Sequence, residues 1–240
     1  MYEKRSYRNL FENEMSMFNV VVGETDLMIG CDTDLSSDAL RYVRRARSIL
    51  NKYIHLYPDF KTSLEPLEVA ESYPDLINIM IKAGISAGTG PMAAVAGAIS
   101  EFVGNKLLEN SAQVFVENGG DIFFASSKDR TIAIYAGESV LSNKVAIKIK
   151  QELFPLGICT SSGTVGHSYS KGIADSVTVL SANTALADAV ATELGNRIHS
   201  SEDIEKGLEF ALGIEDIVGA VVIIGDKLGA AGDIELASIA

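Results

Sequence analysis

The stretch Thr160-Ser161-Ser162-Gly163, which opens the run TSSGTVGHSYSKG and continues to Asn196, organises the reading of the whole chain. It starts as a loop of hydroxyls and glycines, continues as a strand from Asp175 to Ser181, and closes as a helix from Asn183 to Gly195. On that helix Asp188 and Thr192 stand at i and i+4, so their oxygens project from one face. A carboxylate and a hydroxyl on an otherwise small, apolar face suit a hard cation. The competing account is a solvated aspartate beside a threonine bonded to its own turn.

Outward from this stretch the chain alternates groups of strands and helices. Toward the N-terminus, Tyr7 to Phe11 reads as a short strand, and Met17–Val22 and Leu27–Cys31 as a hairpin around Gly23 to Asp26. A long helix from Ser37 to Tyr57, capped by Ser36 or Ser37, carries an apolar stripe through Leu40, Val43, Leu50, Ile54 and Tyr57. Arg41, Arg44, Arg45, Arg47 and Lys52 fill its other faces; that basic run either faces an anionic ligand or, as the expected fate, is a solvated face pairing with surface acids. Pro58, Pro66 and Pro74 break up a connection, and a helix follows from Pro74 to about Ala83.

Gly84 to Pro91 reads as a glycine-rich turn into a second helix, Met92 to about Leu108, whose first two turns are almost bare of side chain. Those small residues either admit a neighbouring backbone or leave room for a ligand whose anionic group meets the helix N-terminus. Gln113–Glu117 and Ile122–Ala125 are strands separated by Asn118-Gly119-Gly120-Asp121. A hairpin turn explains the glycine pair, while the flanking polar residues favour a binding site. Thr131–Tyr135 and Val145–Ile149 read as antiparallel strands, Thr184–Ile198 and Ser201–Leu212 as helices, and Val218–Ile224 as a buried strand. Gly225 to Gly229 turns, and Ile234–Ala237 pairs back as the last strand. This order predicts an α+β fold, antiparallel sheets with helices packed against them.

Composition narrows the function classes. With 240 residues and 47% hydrophobic content the chain can bury a large core, as one domain over residues 1–240 or as two lobes of one. Its net charge of −12 speaks against a phosphate-tracking surface, so no nucleic-acid partner is expected. Cys31 and Cys159 form no CxxC pair and have no zinc spacing. Cys159, beside the hydroxyl-rich loop, is either a nucleophile or, more in keeping with its type, a small buried hydrophobe. The N-terminus lacks an apolar signal core, and the run from Ala83 to Ile99 is broken by glycines and Pro91. A cytoplasmic protein without a membrane partner is expected.

Three stretches together resemble a known family: Gly90-Pro-Met-Ala-Ala-Val-Ala-Gly-Ala-Ile-Ser-Glu101, Glu117-Asn-Gly-Gly-Asp-Ile122, and Thr160-Ser-Ser-Gly-Thr-Val-Gly-His167 with Ala187-Asp-Ala-Val-Ala-Thr192. Their order and character resemble the UPF0280 family, within the ApbE-like superfamily of FAD:protein FMN transferases. The resemblance runs from about Tyr7 to Ile239. It implies a cleft for FAD, FMN or another nucleotide-type anionic ligand, lined by Gly90, Pro91, Met92, Ala93, Asn118, Gly119, Gly120, Asp121, Ser161, Ser162 and Gly163. It further implies Mg2+ on Asp188 and Thr192, and His167 as an acid or base.

The chain departs from the transferases in three places. Ala94 and Val95 stand where they carry a lysine and a glycine, Ile99 replaces an aspartate, and the Asp-Pro of their histidine loop is missing. A flavin or nucleotidyl-type transferase is the reading that follows. The alternatives are an accessory protein of sulfur metabolism, in which Cys31 or Cys159 handles sulfur, and a non-catalytic assembly protein. Small-residue helices and free strand edges are compatible with a homodimer or a protein partner.

Overall fold

The computed structural model describes residues 15–68, 73–164 and 171–239. The strand expected at Tyr7–Phe11 and the proposed acid–base residue His167 lie outside the described residues. The elements are β1 (Ser16–Val22), β2 (Thr25–Cys31), α1 (Ser36–Leu56), α2 (Asp59–Thr62), α3 (Asp75–Ala87), α4 (Val95–Leu107), β3 (Val114–Asn118), β4 (Asp121–Ala125), β5 (Arg130–Ala133), β6 (Val145–Ile149), β7 (Leu156–Ser161), β8 (Ser176–Ser181), α5 (Thr184–Arg197), α6 (Ile204–Leu212), β9 (Ile217–Ile224), β10 (Lys227–Gly232) and β11 (Glu235–Ser238).

Eight strands form one antiparallel sheet in the order β1-β2-β3-β4-β7-β8-β9-β10, and β11-β6-β5 form a second. The fold is α+β, with helices against one face of the large sheet and the small sheet against the other. The strand sequences show why both faces are covered. In β3, Val114 and Val116 join the helix-side core while Phe115 joins the opposite one. In β4, Phe123 and Phe124 divide the same way. Central strands buried on both sides lose the alternation of a half-exposed sheet, and so β9 reads as a continuous apolar run.

Several expectations are corrected. Gly84 to Ala87 are helical, because α3 continues to a left-handed Gly88 at its C-cap. Pro91 opens a 3-10 turn, Pro91–Ala94, before α4 begins at Val95. The two segments, Asp75–Ala87 and Pro91–Leu107, bend 110° at this break, and no single helix among the described residues is long and apolar enough to cross a membrane. No serine side chain caps α1; its N-cap is Leu35, and Asp34 accepts from the Ser36 N–H instead. Ser200 caps the turn before α6, its side chain accepting from the Glu202 N–H. Lys227–Gly232 is a full strand beside β9, and β11 pairs with β6 in the second sheet rather than folding back on its neighbour.

Candidate functional site

The GG pair is first of all a hairpin turn. Asn118 and Asp121 close the β3–β4 pair, and Gly119 and Gly120 carry φ of 71° and 113°. That backbone region penalises any residue with a Cβ. The turn also does what the polar flanks suggested. It holds Asn118 and Asp121 under the start of α4, where Asn118 Nδ2 donates to the Ala96 carbonyl at 3.2 Å and Ser100 Oγ donates to the Asp121 carbonyl at 3.1 Å.

Helices α4 and α5 meet over this turn with almost no side chain between them. A Cβ on Gly97 would lie 2.5 Å from the Thr184 carbonyl oxygen and 2.8 Å from Asp188 Cβ. One on Gly90 would overlap the Ser63 carbonyl at 1.8 Å. Of the two explanations for the small residues, close approach of another backbone therefore holds at Gly90 and Gly97.

At this crossing each helix caps the other. Asp188 of α5 accepts from the Gly97 N–H at 2.8 Å, and from the Ala96 N–H, at the open end of α4. Glu101 of α4 accepts from the Thr184 N–H at 2.7 Å and the Ala185 N–H at 3.3 Å, at the open end of α5. Asn183 completes the second cap by accepting from Leu186 N–H at 2.9 Å. The first amides of a helix lack intrahelical acceptors, so an anionic side chain from a neighbour satisfies them and complements the helix dipole. Asp188 is thus neither a solvated residue nor simply a group facing the same way as Thr192; its carboxylate is turned into α4.

The electrostatics are unusual. Asp188 and Asp121 are both buried, and neither makes an ion pair with a described residue. Burial, partly offset by the Gly97 and Ala96 amides, pushes the Asp188 carboxyl up to about 7. Burial, then the negative charge of Asp188, holds Asp121 well above the carboxylate range, with Glu117 adding to it. Glu117 is itself buried and accepts from the Gly120 N–H at 2.9 Å. Burial also raises Glu101. Two buried carboxyls, Asp121 and Asp188, without an ion pair to a described residue attract a proton or a metal ion.

Cys159 lies opposite Asp121 in the β4–β7 pair, fully buried, with its thiol directed to the Thr184 carbonyl at 3.4 Å. Burial, then Asp121 and Asp188, raises this thiol well above its ordinary value. Burial likewise pushes Cys31 up to about 12. Neither cysteine is an activated nucleophile, since the thiolate is the reactive form. Cys159 packs as the small buried hydrophobe that its type suggested, and sulfur handling by either thiol loses its footing.

The remaining candidates fall around this cluster. Gly90, Pro91, Met92 and Ala93 form the segment leading into α4, with Gly90 and Pro91 buried and Met92 and Ala93 half-buried. Beside them the Thr89 hydroxyl is buried without a hydrogen-bond partner among the described residues. Ser161 ends β7, two residues beyond Cys159. Gly163 is anchored farther along, its N–H donating to the Ala174 carbonyl at 2.9 Å. A Cβ there would meet the Gly172 carbonyl at 2.2 Å, and one on Gly172 the Gly195 carbonyl at 1.9 Å, so this loop lies toward the C-terminal half of α5, where Thr192 sits half-buried. No group of three metal-ligating side chains converges among the described residues. Sequence reasoning singled out Glu117 with the polar flanks of the turn but missed Glu101, Ser100 and the strand β7. For Glu101 and Ser100 a signal existed: Gly97, Ser100, Glu101 and Gly104 fall at i, i+3, i+4 and i+7, a small and polar stripe in an apolar helix.

Comparison with known proteins places this geometry in context. A family profile described as AbpE bacteria matches residues 8–228. UPF0280 proteins of Methanococcus maripaludis strain C6 and Methanocaldococcus jannaschii are 41% and 38% identical, each over 90% of both chains. Among solved structures, the apo flavinyl transferase ApbE of Pseudomonas stutzeri superposes with a TM-score of 0.57 at 17% identity, covering 90% of this chain and 93% of that one. The ApbE protein of Thermotoga maritima gives a TM-score of 0.57 at 12% identity, with 90% and 97% covered. Identity over nearly the full length, the matching profile and the shared sheet-and-helix architecture lead to one assignment: the chain belongs to the UPF0280 family, within the ApbE-like superfamily.

Proposed function

We propose that the crossing of α4 and α5 over the β3–β4 turn is the floor of a site for a nucleotide-type anionic ligand held together with Mg2+, and that the protein is a flavin- or nucleotide-handling member of the superfamily. The observation that supports this most directly is the pair of buried carboxyls, Asp121 and Asp188, without a cationic side chain to balance them. Asp188 keeps free lone pairs beyond the two taken by α4 amides, and Thr192 follows one turn later.

One carboxylate with a hydroxyl and a ligand's own phosphates is a donor set suited to Mg2+, which binds through few protein ligands. When bound, the metal supplies positive charge against a pyrophosphate. The chain's own residues do the rest. Gly119 and Gly120 keep the turn free of side chains, Asn118 fixes the turn to Ala96, and the Pro91–Ala94 segment presents backbone rather than bulk. Ser161, Ser162 and Gly163 would border the ligand from the far side, and His167 would hold or accept a proton near neutral pH. In this reading residues 1–240 work as one ApbE-like unit. The transferase activity of the structural neighbours carries over only as far as the site allows, because Ala94 and Ile99 stand where the transferases carry a lysine and an aspartate.

Calorimetric titration with FAD, with and without Mg2+, tests the proposal on wild-type protein and on Asp188→Asn. Mg2+-dependent binding that the variant loses by tenfold or more is expected. Binding indifferent to both metal and variant would overturn it.

A further inference from the structure

Helix α1 carries a second feature, on the face turned away from the core. Its inner face, Ala39, Val43, Ala46, Leu50 and Tyr53, is buried. At about 100° per residue, Arg41, Arg44, Arg45, Ser48, Lys52 and His55 fall within an arc of roughly 100° on the opposite side. All six are exposed. The 21-residue helix holds five of the chain's 20 basic residues and one of its 32 acidic ones, so it carries +4 within a chain of −12.

The expectation that surface acids pair with this run holds for two of its five cations among the described residues. Arg41 pairs with Asp38 at 2.6 Å and Arg47, off the stripe, with Glu24 at 3.4 Å. Arg44, Arg45 and Lys52 make no ion pair with a described residue. At the C-terminal end of the same helix, Leu56 is 69% exposed and Tyr57 46%. A solvated helix face in an acidic protein needs no such segregation, since any polar residues would serve. Unpaired like charges held a turn apart repel one another, and an opposite row relieves them.

We propose that this face of α1 docks an acidic helical segment of a partner protein, one that presents a row of carboxylates over about 16 Å of helix and an apolar side chain beyond its end. Charge complementarity selects the row, and Leu56 supplies the apolar contact that closes it. Nucleic acid fits less well, because phosphates extending beyond the stripe meet the excess of negative charge on the rest of the chain.

Fluorescence anisotropy tests this with the full chain and a labelled helical peptide bearing four glutamates at i, i+4 spacing and a leucine one turn beyond. Saturable binding in 20 mM salt, weakened about tenfold or more in 200 mM salt, is expected. The combined Arg44→Glu, Arg45→Glu and Lys52→Glu variant should lose binding at least about tenfold with an unchanged circular dichroism spectrum, since all three side chains are exposed. The same peptide with glutamine for glutamate should not bind. Leu56→Ser should weaken the peptide while leaving its salt dependence in place. No saturable binding by wild-type protein, full binding by the charge-reversed variant, or tighter binding of an 18-base-pair DNA duplex than of the peptide would each overturn the proposal.

Discussion

Raising the pH should loosen this protein, and Asp188 should be the main reason. The carboxyl is pushed from 3.8 up to about 7 in the folded state by burial. Between those values the folded chain holds a proton that the unfolded chain has released. Stability from this group is therefore complete below about pH 4 and is lost as pH rises toward 7. The slope approaches ~1.4 kcal/mol per pH unit, so the full loss is roughly 4 kcal/mol, a large part of the ~5–15 kcal/mol that holds a typical domain together. Asp121 and Glu101 are raised too, so their contributions have the same sign, and the loss on the Asp121–Asp188 side belongs to the pair rather than to one residue. Asp32, Asp34 and Asp203 are lowered from 3.8 by hydrogen bonds, so they titrate below this window and do not set the slope above pH 5.

The assay is urea denaturation at pH 5, 6, 7 and 8 in metal-free buffer. The wild-type midpoint should fall steadily. Asp188→Asn keeps an oxygen for the Gly97 amide but cannot ionise, so its profile should be flatter and its midpoint at pH 8 at or above that of wild type. A wild-type midpoint that stays level or rises from pH 5 to 8, or an Asp188→Asn profile as steep as wild type, would refute the reasoning.

Other perturbations follow from the same contacts. Glu101→Ala strips the acceptor from the Thr184 and Ala185 amides and should cost about 1–3 kcal/mol in urea denaturation, with Glu101→Gln recovering most of it. Gly97→Ala drives a methyl to 2.5 Å from the Thr184 carbonyl, and the helices must separate; a loss of about 1–3 kcal/mol is expected, together with weakened ligand binding if the proposed site is correct. Gly120→Ala, at φ of 113°, should destabilise the hairpin by about 1–3 kcal/mol, read as a shift of the thermal midpoint. Cys31 and Cys159 should resist a thiol reagent in native buffer and react promptly in urea, since both are buried and protonated; rapid native labelling of either would show that its burial is wrong.

Much of this molecule was legible along the chain. Helix α1 follows from its apolar periodicity, α5 and α6 from helix-forming runs behind polar cap residues, and the β1–β2 hairpin and strands β3, β4, β6, β8 and β9 from short apolar runs between turn residues. The GG turn was visible, because a positive φ is a local requirement, and so was the spacing of Asp188 and Thr192 on one helix, but not that the Asp188 carboxylate turns into α4. What local pattern could not reveal is partnership. Gly84 and Gly88 look alike in sequence, yet one lies inside α3 and the other ends it, because only packing decides whether a glycine in a helix is tolerated. Strand β10, glycine and alanine from Gly229 onward, lacks β-branched and aromatic side chains and takes its conformation from the edge of β9. Asp188 and Gly97 are 91 residues apart, and Glu101 and Thr184 are 83 apart. A cap shared between two helices is a property of their crossing, and so is the raised carboxyl that results from it, since desolvation exists only once the chain has closed around the charge.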